Sequence, residues 1–433
     1  MAFAALLVLI LIIVGIGVAF AFGAAAFLYF LLDGSSLAQV PAVSFRTLDS
    51  FTYLAIPFFL LAGAIMQTGG VSKRLVDFVG SIAGRFKGGI GATLVGACAL
   101  FGSISGSSVA TVSAIGRIMA ANMLARGYPR GYIAGLTAVA GILGILIPPS
   151  VPMIVYGIAA NVSISSMFLA GISSGLILTA VLITSNYFWA RKRTDLNDRG
   201  ELAGDPVLAF GRRQRFSLTR LGRFGIAIPA LLMPVVILGG IYSGIFTPTE
   251  SGAVACLYGL FVGLFVYREL KPSKIGRTLL DGVLATAPIL LIIAMGGAFS
   301  RAVLVSGIPR DIATAVTDLG LPVWALLLLL NIMLLIVGMF IEENTAIIIL
   351  VPLLMPLVLA SGIDPIHFGV IMVLNLGMGL ATPPFAPNLF VAATAVGVPF
   401  HLIVLPALRL LATAVLPVLI AVNVFPILTT WFL

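Results

Sequence analysis

The sequence is 433 residues long, 61% hydrophobic and only 9% charged, with a mean hydropathy of +1.20. A soluble domain is about 45–50% apolar and about 25% charged, and even a large one leaves roughly a quarter of its surface in water, so a water-soluble fold is excluded. The formal net charge of +9 is no sign of nucleic-acid binding: its largest block, residues 191–223, is a single loop between apolar runs, as cytoplasmic loops are under the positive-inside rule.

At roughly 20 residues per crossing, the length allows about 10–13 membrane-embedded segments. The first apolar stretch, Ala2 to Leu32, has no basic residue before Arg46 and is about twice the 7–15 residues of a signal-peptide core. It predicts a retained, tilted first helix. Hydropathy then marks segments near 51–69, 88–102, 108–125, 131–147, 150–160, 165–190, 224–244, 247–267, 281–304, 322–340, 344–360, 366–382, 386–398 and 401–432. Between Val71 and Lys87, and again between Arg268 and Asp281, charged and apolar residues mix as in interfacial amphipathic helices. Cys98 and Cys256 lie inside apolar segments with no metal-ligand spacing, and read as small packing residues.

The strongest internal signal is a repeat. Gly102 is followed 46 residues later by Pro148-Pro149, and Gly338 is followed 45 residues later by Pro383-Pro384. A loop proline precedes each pair, Pro129 by 19 residues and Pro365 by 18. In the first unit, the run from Gly102 to Ser108 interrupts an apolar segment whose ends, Arg85 and Lys87 on one side and Arg126 and Arg130 on the other, are all basic. Irregular backbone at membrane depth is tolerated only where protein or a wet cavity covers it, so this segment predicts a re-entrant hairpin entered from the cytoplasm. Pro148-Pro149 breaks the next helix in two. The second unit repeats the plan, with an interruption from Gly338 to Thr345 and a break at Pro383-Pro384. Its flanks carry Asp311, Asp318 and Asp364, which places it on the opposite face. The fold class is therefore an all-α polytopic membrane protein with an inverted repeat, two re-entrant hairpins and two broken helices, whose shared midplane is the binding site.

Within that plan, residues 1–87 form scaffold helices and an amphipathic arm, and 88–160 the first repeat. Residues 161–321 hold further scaffold, the basic loop and a second arm; 322–400 form the second repeat, and 401–433 a C-terminal helix. Ser103, Ser105, Ser107 and Ser108 cluster on the first tip, where hydroxyl and carbonyl oxygens suit Na⁺ or a substrate. Asn344, Thr345, Asn375 and Thr382 are the matching oxygens of the second unit. Glu342 and Glu343 are intramembrane carboxylates, functional candidates by default: one coordinates a cation or carries a proton, unless the tip is wet and one merely faces water. Arg301 either snorkels to the headgroups or pairs with a carboxylate. His367 and His401 read as interface residues. No nucleophile–base pair lies near the serines, so the reading is not an enzyme.

Four stretches, GGIGATLVGACALFGSISGSSVATVSAIG (88–116), GLTAVAGILGILIPPSVPMIVYG (135–157), GGIYSGIFTPTESGAVA (239–255) and GIDPIHFGVIMVLNLGMGLATPP (362–384), resemble the large membrane subunit of tripartite ATP-independent periplasmic (TRAP) transporters, the DctM-like permease family. The resemblance covers essentially the whole chain. It implies an elevator-type secondary transporter of the bacterial inner membrane in which Na⁺ gradients drive carboxylate uptake. A periplasmic binding protein delivers the acid, and a small four-helix membrane subunit, expected here as a separate chain, braces the scaffold. No cofactor is implied beyond Na⁺ as coupling ion. Carried to matching positions, the Na⁺ sites fall at Ser103, Ser105 and Gly144 to Pro148, and at Gly338, Asn344 and Thr382. Glu342-Glu343 stand where the family pattern has an Asp and a small polar residue. The rival reading is a stand-alone inverted-repeat anion/cation antiporter or symporter without a binding protein.

Overall fold

The computed structural model describes residues 2–84, 86–194, 196 and 220–433. Most of the basic loop 191–223, and Arg85, lie outside the described residues. Every described element is helical. Among the described residues, nine helices are long and apolar enough to cross a bilayer, or ten if the pair Arg130–Leu146 and Val151–Ala159, bent by 45°, counts as one span.

The opening stretch is not one tilted helix. Gly15 sits at φ +90°, a conformation glycine adopts without steric cost, and the chain turns there. Helices Ala2–Ile13 and Val18–Leu32 pack on each other instead. At 12 and 15 residues, neither has the roughly 20 needed to cross alone.

The second amphipathic arm also lies elsewhere than the charge pattern predicts. Pro272 opens a continuous 34-residue helix, Pro272–Val305, at a first turn where its missing N–H is no loss. The charged residues Arg277 and Asp281 ride on this helix. A separate helix of mixed charged and apolar residues, Ile308–Asp318, stands before the second interrupted hairpin as Val71–Ala83 stands before the first. Val71–Ala83 packs on Gly89–Ser105, and Ile308–Asp318 on Glu343–Ala360. Arg74, in the first arm, is ion-paired with Glu269 and lies 4.3 Å over the Tyr267 ring.

The two repeat units are clear in the structure. Unit one comprises Gly89–Ser105, Ser108–Ala125, Arg130–Ala140, Leu143–Leu146 and Val151–Ala159. Unit two comprises Val323–Phe340, Glu343–Ala360, Pro365–Leu380 and Pro387–Val396. They pack reciprocally: Val151–Ala159, past the first break, lies on Glu343–Ala360, while Pro387–Val396, past the second, lies on Ser108–Ala125. The helices that follow each unit cross over in the same way, Ile164–Arg191 onto Pro365–Leu380 and His401–Leu410 onto Arg130–Ala140. Helices Val18–Leu32, Gln39–Leu48 and Ala55–Thr68 gather around the long Pro272–Val305, which in turn touches Glu343–Ala360.

The hairpins differ at their turns. In the first, Gly106 is left-handed at φ +61° and the two arms pack on each other. In the second, Ile341 and Glu342 are extended. The arms part from there: Val323–Phe340 packs on Pro365–Leu380, while Glu343–Ala360 packs on Pro272–Val305 and Ile308–Asp318.

Each interruption is held by backbone against backbone. A Cβ on Gly102 would stand 2.6 Å from the Gly144 Cα, and one on Gly379 would collide with the Gly338 backbone. Gly102→Ala or Gly379→Ala should each cost about 1–3 kcal/mol by overpacking, seen as a lower melting temperature in detergent. Gly239→Ala, inside a helix with nothing near its Cβ position, should not lower the melting temperature and should raise it slightly, since glycine in a helix costs about 0.5–1 kcal/mol relative to alanine.

Candidate functional site

The first tip rests on the first unwound link. The Val151 N–H donates to the Gly106 carbonyl at 3.1 Å, so the turn of the hairpin is closed by the start of the next half-helix. Ser107 caps the outgoing arm, its hydroxyl accepting from the Ala110 N–H at 3.4 Å. Its carbonyl accepts from the Thr111 hydroxyl at 2.8 Å, and Thr111 Oγ1 stands 3.1 Å from Ser105 Oγ. A Cβ on Gly144 would lie 2.5 Å from Thr111 Oγ1 and 2.7 Å from the Ser107 carbonyl. Ser105, Ser107, Thr111 and Gly144 therefore meet at one place. Ser103, also buried, donates to its own helix at the Leu100 carbonyl, 2.8 Å away. Pro148 lies buried in the link, and Ser150 caps the half-helix beyond it, accepting from the Met153 N–H at 3.3 Å.

Ser108 does something else. Its hydroxyl accepts from Asn388 Nδ2 at 2.7 Å, and the same amide nitrogen donates to the Ala138 carbonyl at 3.1 Å. Asn388, fully buried, thus ties the second broken helix to both the hairpin and the broken helix of the first unit. Sequence reasoning missed it. The available signal was an amide at the start of an apolar run, just after Pro387.

The second tip rests on its own link in the matching way, with the Phe385 N–H donating to the Met339 carbonyl at 3.2 Å. Gly338 packs against Gly379 and against Leu376. Glu342 caps the outgoing arm. Its carboxylate accepts from the Thr345 N–H at 3.1 Å, the Thr345 hydroxyl at 3.3 Å and the Asn344 amide. Glu343, one residue on, is 5% exposed, and its Oε2 has no hydrogen-bond partner among the described residues. The Asn344 Oδ1 is likewise buried and unpartnered. The Thr382 hydroxyl donates to the Met378 carbonyl at 2.8 Å. Beyond the second break, buried Ala386 is left-handed at φ +37°, a conformation of order 1–3 kcal/mol above the usual ones for a residue with a Cβ.

Two predicted residues stand apart from the tips. Asn375 lies about two helical turns before Thr382. Its amide donates to the Asn331 carbonyl at 3.0 Å and the Asn331 Oδ1 at 2.7 Å. Asn331 donates in turn to the Asn423 Oδ1 at 2.8 Å, so three asparagines link the hairpin, the broken helix and the C-terminal helix. Arg301 is exposed on Pro272–Val305 and makes no ion pair among the described residues. His367 Nδ1 meets the Thr429 hydroxyl at 2.7 Å, a packing contact between helices, and His401 is exposed.

If Asn388 joins the units as its geometry shows, Ser108→Ala and Asn388→Ala should be coupled. A double-mutant cycle on thermal stability in detergent should return about 0.6–1.7 kcal/mol, the range of interhelical hydrogen bonds in membranes. Strictly additive losses would remove the tie.

Comparison with known proteins agrees with this architecture. The family model described as "Tripartite ATP-independent periplasmic transporter, DctM component" matches residues 3–428. The C4-dicarboxylate TRAP transporter large permease protein DctM of Pseudomonas aeruginosa is 42% identical over 409 residues, covering 94% of this chain and 90% of the relative. The isethionate TRAP transporter permease protein DctMQ of Oleidesulfovibrio alaskensis is 40% identical over 372 residues, covering 86% of this chain but 56% of that protein. Among solved structures, the Alcanivorax borkumensis YdaH transporter superposes with a TM-score of 0.61 at 16% identity, over 88% of this chain and 86% of that one. At that identity the likeness is one of fold.

Proposed function

The chain belongs to the DctM family, the large permease subunits of TRAP transporters, and we propose that it carries a small organic acid across the bacterial inner membrane, coupled to Na⁺, by elevator movement. The observation that carries the reading is the seating of each tip on its own unwound link, with each broken helix continuing onto the other unit's hairpin. Two interrupted helices closed on two turns in this way put oxygens and helix ends together at depth, as transporter sites do. The moving body comprises 88–160 and 322–400. Ile164–Arg191 and the C-terminal helices move with it, because they pack on the units' own broken helices. The helices gathered around Pro272–Val305 form the scaffold.

The residues present fit Na⁺. A buried acceptor left without a donor costs about 1–3 kcal/mol, and Glu343 Oε2 and Asn344 Oδ1 are two such oxygens on adjacent residues. At the first tip the hydroxyls of Ser103, Ser105 and Thr111 spend their protons within the protein and keep lone pairs for a hard cation. Bound there, Na⁺ would supply positive charge beside an incoming carboxylate. Ser107, at the half-buried turn, is the tip residue placed to meet that acid. The relatives' names, which give C4-dicarboxylate and isethionate, both small organic anions, support that class of substrate here. A periplasmic binding protein and a small four-helix membrane subunit complete the transporter. A second permease component is consistent with a DctMQ relative much longer than this chain.

Reconstituted in proteoliposomes with the small subunit and a cognate binding protein, the chain should take up acid only with an inward Na⁺ gradient. Ser103→Ala/Ser105→Ala should raise the half-saturating Na⁺ concentration severalfold, and Glu343→Gln should do so at the second tip, both with normal insertion. Uptake by the chain alone would favour a stand-alone carrier, and unchanged Na⁺ dependence in both variants would remove the tips from cation binding.

A further inference from the structure

A cleft of about 820 Å³ lies away from the tips, where Arg130–Ala140 begins, Ile164–Arg191 ends and His401–Leu410 passes. Among the described residues, four cationic side chains line it, Arg130, Lys192, Arg193 and Arg409, and no acidic one does. Between them the walls are apolar and aromatic, with Val181, Phe188, Leu402 and Leu410 along the helices. The floor is built rather than incidental. Tyr132 and Trp189 stack with ring centroids 3.4 Å apart, and the Arg193 guanidinium lies 4.9 Å above the Trp189 ring. The Tyr132 hydroxyl donates to Asn186 Oδ1 at 3.1 Å, and Asn186, fully buried, donates to the Gly88 carbonyl at 2.8 Å. Phe188, Lys192, Leu402 and Arg409 are exposed at the rim.

We propose that this cleft binds one anionic glycerophospholipid of the cytoplasmic leaflet, its phosphate among Arg130, Lys192 and Arg409 and its acyl chains along Phe188, Leu402 and Leu410. Charge complementarity selects the occupant. Arg130, Lys192 and Arg409, with no acid among the described lining residues and an apolar trough beside them, match a ligand with an anionic head and two hydrocarbon tails. A zwitterionic lipid would bring its own ammonium beside Arg130, Lys192 and Arg409, and a free phosphate would leave the trough empty. The same end of Ile164–Arg191 leads into the basic loop, so positive-inside placement puts the cleft at the leaflet where anionic headgroups attract basic residues. The site depends on membrane insertion and not on which acid is carried.

The test uses the full chain in vesicles, with Trp324→Phe and Trp431→Phe leaving Trp189 as the sole remaining one of three tryptophans. Brominated phosphatidylglycerol, titrated into phosphatidylcholine vesicles, should quench Trp189 saturably at low mole fraction, and brominated phosphatidylcholine should quench only in proportion to its share. Arg130→Gln/Arg409→Gln should weaken the anionic-lipid titration about 25-fold, at about fivefold per cation. The same pair should abolish co-purification of phosphatidylglycerol or cardiolipin in native mass spectra. Equal quenching by both lipids would reduce the cleft to ordinary lipid contact and overturn the proposal. Displacement of the quencher by millimolar inorganic phosphate would make it an ion site and overturn it as well. The first comparison keeps all four cations, so it stands even if the charge variants fail to fold.

Discussion

In hydrocarbon, an unpaired backbone amide or carbonyl costs several kcal/mol and no water is at hand to satisfy it. Among the described residues, two hairpin turns and two proline links break the helical ladder within the repeat units, and the fold brings them together in pairs. One backbone hydrogen bond joins tip to link in each unit, Val151 to Gly106 and Phe385 to Met339. Facing glycines let the chains approach closely enough to make it: Gly102 with Gly144, and Gly338 with Gly379. A tip cannot lift from its link without exposing both sets of groups to lipid or replacing them with a ligand's. The place where ligand oxygens are most useful is therefore the place where the backbone is already irregular.

The reciprocity of the units extends that constraint across the molecule. Because each broken helix continues onto the other unit's hairpin, the two units are packed into one another rather than side by side. Asn388 makes the link specific, since its one amide nitrogen serves Ser108 on the first hairpin and Ala138 on the first broken helix. The Asn375–Asn331–Asn423 ladder does the same for the C-terminal helix. These amides behave as interhelical glue. Their amide nitrogens are spent on these ties, while the Oδ1 of Asn375 and of Asn388 stays buried without a hydrogen-bond partner among the described residues.

The repeat was legible in the sequence because glycine and proline act locally: each punctuates the chain by its own backbone chemistry, and register between two such marks survives folding. The first tip's serines were legible for the same reason. Asn388 was not, because its partner is 280 residues away and a lone asparagine in an apolar run has no local pattern to betray it. The split of the first helix turned on Gly15, one glycine among 47, and hydropathy averages over such a residue. The second arm was misplaced because a mixed charged and apolar stretch reads alike on an interfacial helix and on the first turns of a long helix. Pro272 starts a helix that runs through to Val305, and Ile308–Asp318 is a separate helix beyond it.

Two adjacent carboxylates at membrane depth posed a choice that the sequence left open, since Glu342 and Glu343 have the same chemistry and nearly the same position. The helix start decides between them. Glu342 falls at the cap, where backbone N–H groups lack helical partners, and its carboxylate accepts from Thr345 and Asn344. Glu343 falls one residue later, inside the helix, where the cap geometry no longer reaches it, and keeps Oε2 buried without a donor. Both acids benefit from the positive end of the helix dipole, but only the second has an oxygen left over. The extended link at Ile341 and Glu342 that opens the hairpin also sets this register. The two tips thus differ in their oxygens: hydroxyls and carbonyls gather at the first, and a buried, unpartnered carboxyl oxygen lies at the second.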